Sequence, residues 1–322
     1  MAASSSTPFS WIANLARTIR NWGEFVKISH TVFALPFALA SMVVAARETR
    51  GWPGWKVFGL ILLAMFCART CAMAFNRIVD RHFDRANPRT ANRHLPSGQI
   101  SLVTAWAICL AGGAGLIIAS YHLNPLCLYL SPVALFAVCF YSLTKRFTDF
   151  THIYLGIALA LAPLGAWLAV HGSFDLFPRA EGVLLWKQSA FLPLILGLAV
   201  VFWLIGFDMI YAIQDYEFDR ANGLHSLVVR WGVINSLRGA FLSHMVMWFL
   251  LLLFGFLCGF RVLYLLGMLV IILFLLFEHW LARRRGLNWI NVAFFRLNAL
   301  ISMVFLFITA AEVVFPFFRF SR

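Results

Sequence analysis

The sequence predicts an all-α membrane protein with nine transmembrane helices, and three observations carry that expectation. Of its 322 residues, 62% are hydrophobic and only 12% are charged, and the mean hydropathy of +0.83 is far above that of a soluble domain. Nine apolar runs each approach the ~20 residues a helix needs to cross the hydrocarbon core. The 13 Asp and Glu residues are not scattered: six of them, Asp80, Asp84, Asp208, Asp215, Glu217 and Asp219, crowd into two short windows, each ending an apolar run.

In chain order, residues 1–7 are small and polar. From Pro8 to Trp22, large apolar residues alternate with Arg17 and Arg20 near the helical period, which predicts a short helix lying in the membrane interface. The stretch lacks the basic start, apolar core and small-residue cleavage site of a signal peptide. Residues 1–23 therefore read as a tail with an interfacial helix, and residues 24–322 as one nine-helix domain without an internal linker or repeat. The spans are expected at 25–46, 57–78, 101–119, 124–143, 151–171, 190–213, 236–258, 260–281 and 294–317. Pro36, Pro132, Pro163 and Pro193 fall within or at the edges of them, which membrane helices tolerate. Cys67, Cys71, Cys109, Cys127, Cys139 and Cys258 all lie in apolar runs and read as small packing residues.

Orientation follows from the cations. With the N-terminus in the cytoplasm, seventeen of the 26 Lys and Arg residues fall on that side and eight on the other, while Arg69 sits inside a span. The positive-inside bias puts both acidic windows at the cytoplasmic face of a plasma (inner) membrane. The net charge of +13 reads as membrane anchoring plus an anionic ligand, with no basic soluble module to bind nucleic acid.

The first window places Asn76, Asp80 and Asp84 four residues apart, so each side chain advances only about 40° and the three form one polar stripe. Carboxylates one turn apart repel, which a divalent cation would relieve. Magnesium uses one or two carboxylates and fills its shell with water and phosphate oxygens, so the stripe suits a metal-bridged diphosphate better than an all-protein cage. Arg85, Arg89 and Arg93 follow in a loop and offer guanidinium groups for the remaining anionic oxygens. In the second window Asp208, Tyr211, Asp215 and Asp219 fall within about 60 to 80° of one another on a helix. Carboxylates at the end of a membrane helix are costly against lipid, so both stripes predict a polar cavity.

These windows resemble the UbiA-type membrane prenyltransferases, the superfamily that includes 4-hydroxybenzoate polyprenyltransferase. The family's Asn-x-x-x-Asp-x-x-x-Asp signature is similar to Asn76, Asp80 and Asp84, continued by RTANRHLPSG from Arg89 to Gly98. Its Asp-x-x-Tyr-Ala-x-x-Asp-x-x-x-Asp signature is similar to Asp208, Tyr211, Ala212, Asp215 and Asp219, and a shorter Tyr-x-x-x-Lys-Arg element to Tyr141, Lys145 and Arg146 in an expected cytoplasmic loop. The resemblance implies nine helices around a central cavity, and Mg2+-dependent transfer of a polyprenyl group from its diphosphate to an aromatic acid in quinone biosynthesis. It implies Asp80, Asp84, Asp215 and Asp219 as metal ligands, and Asn76, Arg89, Arg93, Tyr141 and Lys145 as diphosphate contacts. Asp208, Tyr211 and Arg69 are expected at the reacting groups, Arg69 paired with Asp80 or with the acceptor's carboxylate. His30 is either a hydrogen-bonded structural residue or an acceptor contact, and Phe294, Phe295 and Asn298 resemble a pattern in the last span.

One stretch departs from the 4-hydroxybenzoate enzymes, which carry Gly-Ile-Lys-Ser after the second signature; this chain has Gly223, Leu224, His225 and Ser226. Together with SHTVFALPF at 29–37, the variant looks like the branch that prenylates a dihydroxynaphthoate on the futalosine route to menaquinone. Both acceptors stay open at this point. A cation channel or transporter lined by the acidic stripes is the rival class, and it leaves the neighbouring Arg-rich loop unexplained.

Overall fold

The computed structural model describes residues 23–25, 31–180, 183–184, 186–284 and 295–315. The expected interfacial helix, Ser29, His30 and Phe294 lie outside them. Among the described residues, nine apolar helices correspond one to one with the expected spans: α1 (Thr31–Ala45), α2 (Trp55–Ala86), α3 (Leu102–Leu123), α4 (Pro125–Phe140), α5 (Thr151–His171), α6 (Phe191–Ala212), and, after a short α7 (Tyr216–Ala221), α8 (Leu227–Cys258), α9 (Val262–Arg284) and α10 (Phe295–Val314). Eight of them are long and apolar enough to cross a membrane, whereas α1, at 15 residues, is shorter within the described stretch. The protein is a multi-pass integral membrane protein. The one extended pairing among the described residues joins Arg179–Ala180 to Val183–Leu184 between α5 and α6.

Local chemistry sets the boundaries. Asn124 closes α3 and opens α4: its Oδ1 accepts from the Cys127 amide at 2.9 Å and its Nδ2 donates to the Leu168 carbonyl at 2.8 Å, so one residue turns the chain and ties it to α5. Ser101 and Ser226 cap α3 and α8 in the same way, their hydroxyls accepting from Thr104 and Val229 at 3.1 Å. Gly232, at φ 74°, breaks the helical path near the start of α8.

Packing closes the helices into a ring, with α1 against α5 and α10, α6 between α5 and α8, and α2 through α4 forming the remaining wall. The densest core holds Phe37, Trp167, Trp203, Phe254 and Phe305, all at most 1% exposed. At the α2–α3 contact, Gly112 lies so close that a Cβ would meet the Cys71 nitrogen at 2.8 Å and the Cys67 oxygen at 2.9 Å. A small residue here lets the two backbones approach, the usual way membrane helices gain packing energy.

Two elements differ from the sequence-based expectation. Tyr141, Lys145 and Arg146 are not in a loop: Tyr141–Arg146 extends α4 as a 3-10 helix, with the Thr144 hydroxyl donating to the Tyr141 carbonyl at 2.6 Å. The second acidic stripe is not on one continuous α-helix, because Ile213–Asp215 tightens into a 3-10 turn between α6 and α7. That turn advances each residue by about 120° instead of 100° and re-aims everything after it.

Replacing Gly112 by Leu is expected to force α2 and α3 apart and cost about 1–3 kcal/mol. The check is a lower thermal midpoint of the detergent-solubilised protein, followed by size-exclusion chromatography of heated samples.

Candidate active site

At one end of the bundle, α2, the 3-10 extension of α4, the start of α5 and the α6–α7 segment surround a cavity of about 490 Å³. Its lining includes twelve of the sequence-predicted site residues, Arg69, Asn76, Asp80, Asp84, Arg89, Arg93, Tyr141, Lys145, Asp208, Tyr211, Asp215 and Asp219, but not Arg85, which is exposed. From this polar end the cavity continues between apolar side chains to Ile61, Leu123 and Leu168 near the far ends of α2, α3 and α5. Asp84 and Ile61 are 23 residues apart on α2, a rise of about 35 Å.

Helix α2 owes its reach to its length, 32 residues or about 48 Å, which carries its last turns past a ~30 Å hydrocarbon core. The chain then folds back in a compact series of turns. Thr90 donates its hydroxyl to the Asp84 carbonyl at 2.9 Å, and Leu95 and Ile100 bury against Ile78 and Cys109. This anchored loop delivers Asn87, Arg89 and Arg93 to the cavity mouth.

There each acidic side chain meets a cation. Asp84, 6% exposed, accepts from Arg93 Nη1 at 2.6 Å and has Arg77 Nη1 3.7 Å from its other oxygen. Asp80 accepts from Arg146 at 3.2 Å and from Asn76 Nδ2 at 2.9 Å. Lys145 Nζ lies 3.4 Å from Asp219. Arg89 spans the cavity: its Nε donates to Asp215 Oδ1 at 2.8 Å, its Nη2 to Asp215 Oδ2, and its Nη1 to the Tyr211 hydroxyl at 3.0 Å. Asn87 Nδ2 adds a 3.1 Å bond to the same Asp215 oxygen. Burial is the largest single influence on Arg89 and would weaken its charge, but the hydrogen bonds to Asp215 and Tyr211 and the Asp215 charge together outweigh it and raise the guanidinium above its usual pKa. The loop after the first stripe thus binds the second stripe directly.

Deeper in the bilayer, Asp208 faces the cavity with its Oδ2 2.7 Å from Nδ1 of a fully buried His152. An aromatic wall descends beside it, with Phe295 5.7 Å from Phe207 and 5.6 Å from Tyr211 between ring centroids. Trp203 and Phe33 continue it. Asn298, noted in the last span, does not reach the cavity; it is buried, accepting from Trp203 Nε1 at 2.7 Å and donating to Glu278 at 3.1 Å. Glu217, sixth of the clustered carboxylates, is exposed.

Sequence reasoning missed His152, Asn87 and Arg77. His152 carried a signal, a titratable residue at the membrane end of an apolar run, whereas Asn87 and Arg77 show their partners only in three dimensions. His225, where the 4-hydroxybenzoate enzymes carry a lysine, is exposed and pairs with Asp149 at 3.1 Å, outside the cavity lining. Its amide donates to the Lys145 carbonyl at 2.8 Å, so this turn steadies the lysine's backbone.

The donor set fits a hard divalent cation. Carboxylate and amide oxygens gather at one mouth, and the buried Asp84 Oδ2 has no hydrogen-bond partner among the described residues. Among the described residues no three His, Cys, Asp or Glu side chains converge to hold an ion alone. A cation here would need oxygens from a ligand.

Residues 34–300 match the model of the UbiA prenyltransferase family. A 4-hydroxybenzoate octaprenyltransferase of Francisella tularensis subsp. mediasiatica is 28% identical over 277 residues, 86% of this chain and 90% of that protein. One of Methylobacillus flagellatus is 32% identical over 197 residues, 60% of this chain and 62% of that one. Among solved structures, the apo UbiA homolog of Aeropyrum pernix K1 superposes with a TM-score of 0.76 at 29% identity, covering 88% of this chain and 98% of that one. The UbiA homolog of Archaeoglobus fulgidus bound to GPP and Mg2+ does so at 0.66 and 20% identity, covering 91% and 99%.

Replacing Arg89 by Ala is expected to remove both of its hydrogen bonds to Asp215 and leave the 87–101 loop tied there by Asn87. Backbone amide exchange across 87–101 should then rise by on the order of tenfold or more, while the exposed Arg85→Ala leaves it unchanged; hydrogen–deuterium exchange in detergent reads both.

Proposed function

This chain belongs to the UbiA prenyltransferase family, and from that premise we propose that it moves a polyprenyl group from a polyprenyl diphosphate to an aromatic acid, 4-hydroxybenzoate or a related hydroxynaphthoate, in quinone biosynthesis. The observation that carries this reading is Arg89, which reaches from the loop after the first acidic stripe to Asp215 on the second. The two stripes lie within one arginine side chain's length, a separation a diphosphate with its cations can bridge. The rival of a cation path gains no support from carboxylates that each face an Arg or Lys.

In this proposal Asp80, Asp84, Asp215 and Asp219 hold Mg2+, with Asn76 as a neutral oxygen ligand or orienter. Arg89, Arg93, Tyr141 and Lys145 hold the diphosphate. Bound magnesium would neutralise charge building on the departing diphosphate. The chain's own residues do the rest. Arg89, Arg93 and Lys145 exchange their carboxylate partners for phosphate oxygens, so ligand binding swaps one set of charge-assisted bonds for another. The apolar channel takes the isoprenoid tail and excludes water from the allylic cation. Rings of the Phe207–Phe295–Tyr211 wall present their negative faces to that cation. Arg69 pairs with the acceptor's carboxylate, and Asp208 faces its reacting ring. The mouth is proposed to open on the cytoplasmic side of the plasma membrane, in line with the Lys and Arg bias.

Incubating membranes that contain the protein with magnesium, a polyprenyl diphosphate and either 4-hydroxybenzoate or 1,4-dihydroxy-6-naphthoate, then weighing the products, tests the reading and chooses the acceptor. Prenylation of neither acid refutes it. Asp80→Ala and Asp215→Ala are each expected to lower kcat on the order of 10²- to 10³-fold while the protein stays folded in membranes. Arg69→Ala should raise the KM of the acid by about 10- to 100-fold, with the diphosphate KM nearly unchanged.

A further inference from the structure

The His152–Asp208 pair stands apart from the charge network at the mouth. Asp208 precedes Asp215 by seven residues, about 10 Å deeper along the helix, too far to share a cation with it. Its side chain is 21% exposed and lines the cavity, while His152 is fully buried behind it. The His152 Nδ1–Asp208 Oδ2 distance is 2.7 Å, and His152 Nε2 is buried without a hydrogen-bond partner among the described residues. The other titratable groups that surround Asp208 are Lys145 and Asp215, toward the mouth, and Tyr141. A bare Nε2 fits a neutral imidazole whose single N–H is on Nδ1 and is donated to the carboxylate. The ring then fixes one oxygen of Asp208 and leaves the other turned to the cavity. A buried imidazole orienting a carboxylate is the arrangement by which a base is set in place, with the roles of base and orienter reversed from the more familiar one.

We infer that His152 is a positioning residue that holds the Asp208 carboxylate as acceptor of the ring proton displaced when the aromatic acid is prenylated. The inference rests on the proposed transfer to an aromatic acid. In that step a ring carbon beside the hydroxyl forms a C–C bond with C1 of the prenyl group, and the C1–O bond breaks with its electron pair leaving on diphosphate. The proton on the substituted carbon passes to Asp208, its C–H electron pair restores the aromatic ring, and Asp208 returns the proton to water at the cavity mouth. His152 touches neither substrate. With no acceptor at Nε2, it is poorly placed to keep the proton itself, so the proton stays on the carboxylate that faces the cavity.

His152→Leu is expected to lower kcat on the order of 100-fold, with the KM of the prenyl diphosphate nearly unchanged. His152→Asn, whose amide N–H stands near the Nδ1 position, should recover most of that loss. Acceptor deuterated at the reacting ring carbon should show a larger primary isotope effect in His152→Leu than in wild type, because proton removal becomes slow; loss of packing alone would not produce this. A second reading needs no substrate: in 15N-histidine-labelled protein, a low-field imidazole N–H proton should disappear in both His152→Asn and Asp208→Asn. If His152→Leu does not fold, the Asn variants and this resonance carry the test. Wild-type transfer with unaltered kcat and isotope effect in the His152 variants overturns this inference alone. No transfer to either aromatic acid overturns the proton role together with the reading it rests on.

Discussion

A carboxylate at the edge of a membrane must face an opposite charge, and this constraint shapes one whole end of the protein. Asp80, Asp84, Asp215 and Asp219 meet Arg146, Arg93, Arg89 and Lys145 respectively. Removing one partner leaves a carboxylate short of its neutralising charge, most severely at the least exposed of these pairs, Asp84 with Arg93, so the loop at 87–101 and the 3-10 extension of α4 are held in place by the carboxylates they neutralise. The same pairs make the site responsive to an anion. A ligand that brings its own negative oxygens and divalent cations satisfies both halves of each pair at once, so the polar end can rearrange without leaving a charge exposed to lipid.

The apolar part of the cavity is built by a separate rule. Its walls carry small and aliphatic side chains along α2, α4 and α5, and aromatic rings where α6 and α10 meet. Trp203 is tied through Asn298 to Glu278, so the ring nearest the core has its orientation set by hydrogen bonds as well as by packing. Gly206 leaves room for the His244 ring, which a Cβ would meet at 2.3 Å. The protein therefore spends its few intramembrane polar groups on holding rings and carboxylates in fixed places.

Periodicity made much of the site readable in advance. Asn76, Asp80 and Asp84 share a face because α2 is a regular helix to its end, and the four-residue spacing alone demands it. Asp208, Tyr211, Asp215 and Asp219 also reach one cavity, but across a 3-10 turn that spacing does not announce. Arg89 was picked out as an anion-binding cation, while its grip on Asp215, 126 residues away, depends on how a turn-rich loop folds back. His225 stands where the 4-hydroxybenzoate enzymes carry a lysine, and it faces Asp149, while its neighbour Leu224 lines the cavity.

Hydropathy and the two spaced motifs were enough to settle the helical membrane class, the order of its long helices and the family, while the expected span ends missed the last eight residues of α2 and the first nine of α8. These properties are local, since an apolar run or a four-residue spacing reads the same wherever the helix ends up. Which cation neutralises which carboxylate, that Tyr141–Arg146 is helical, and that His152 stands behind Asp208 were decided only when the helices closed into a ring. Each is a contact between segments far apart in the chain, and its partners are chosen by packing geometry that no stretch of sequence contains alone.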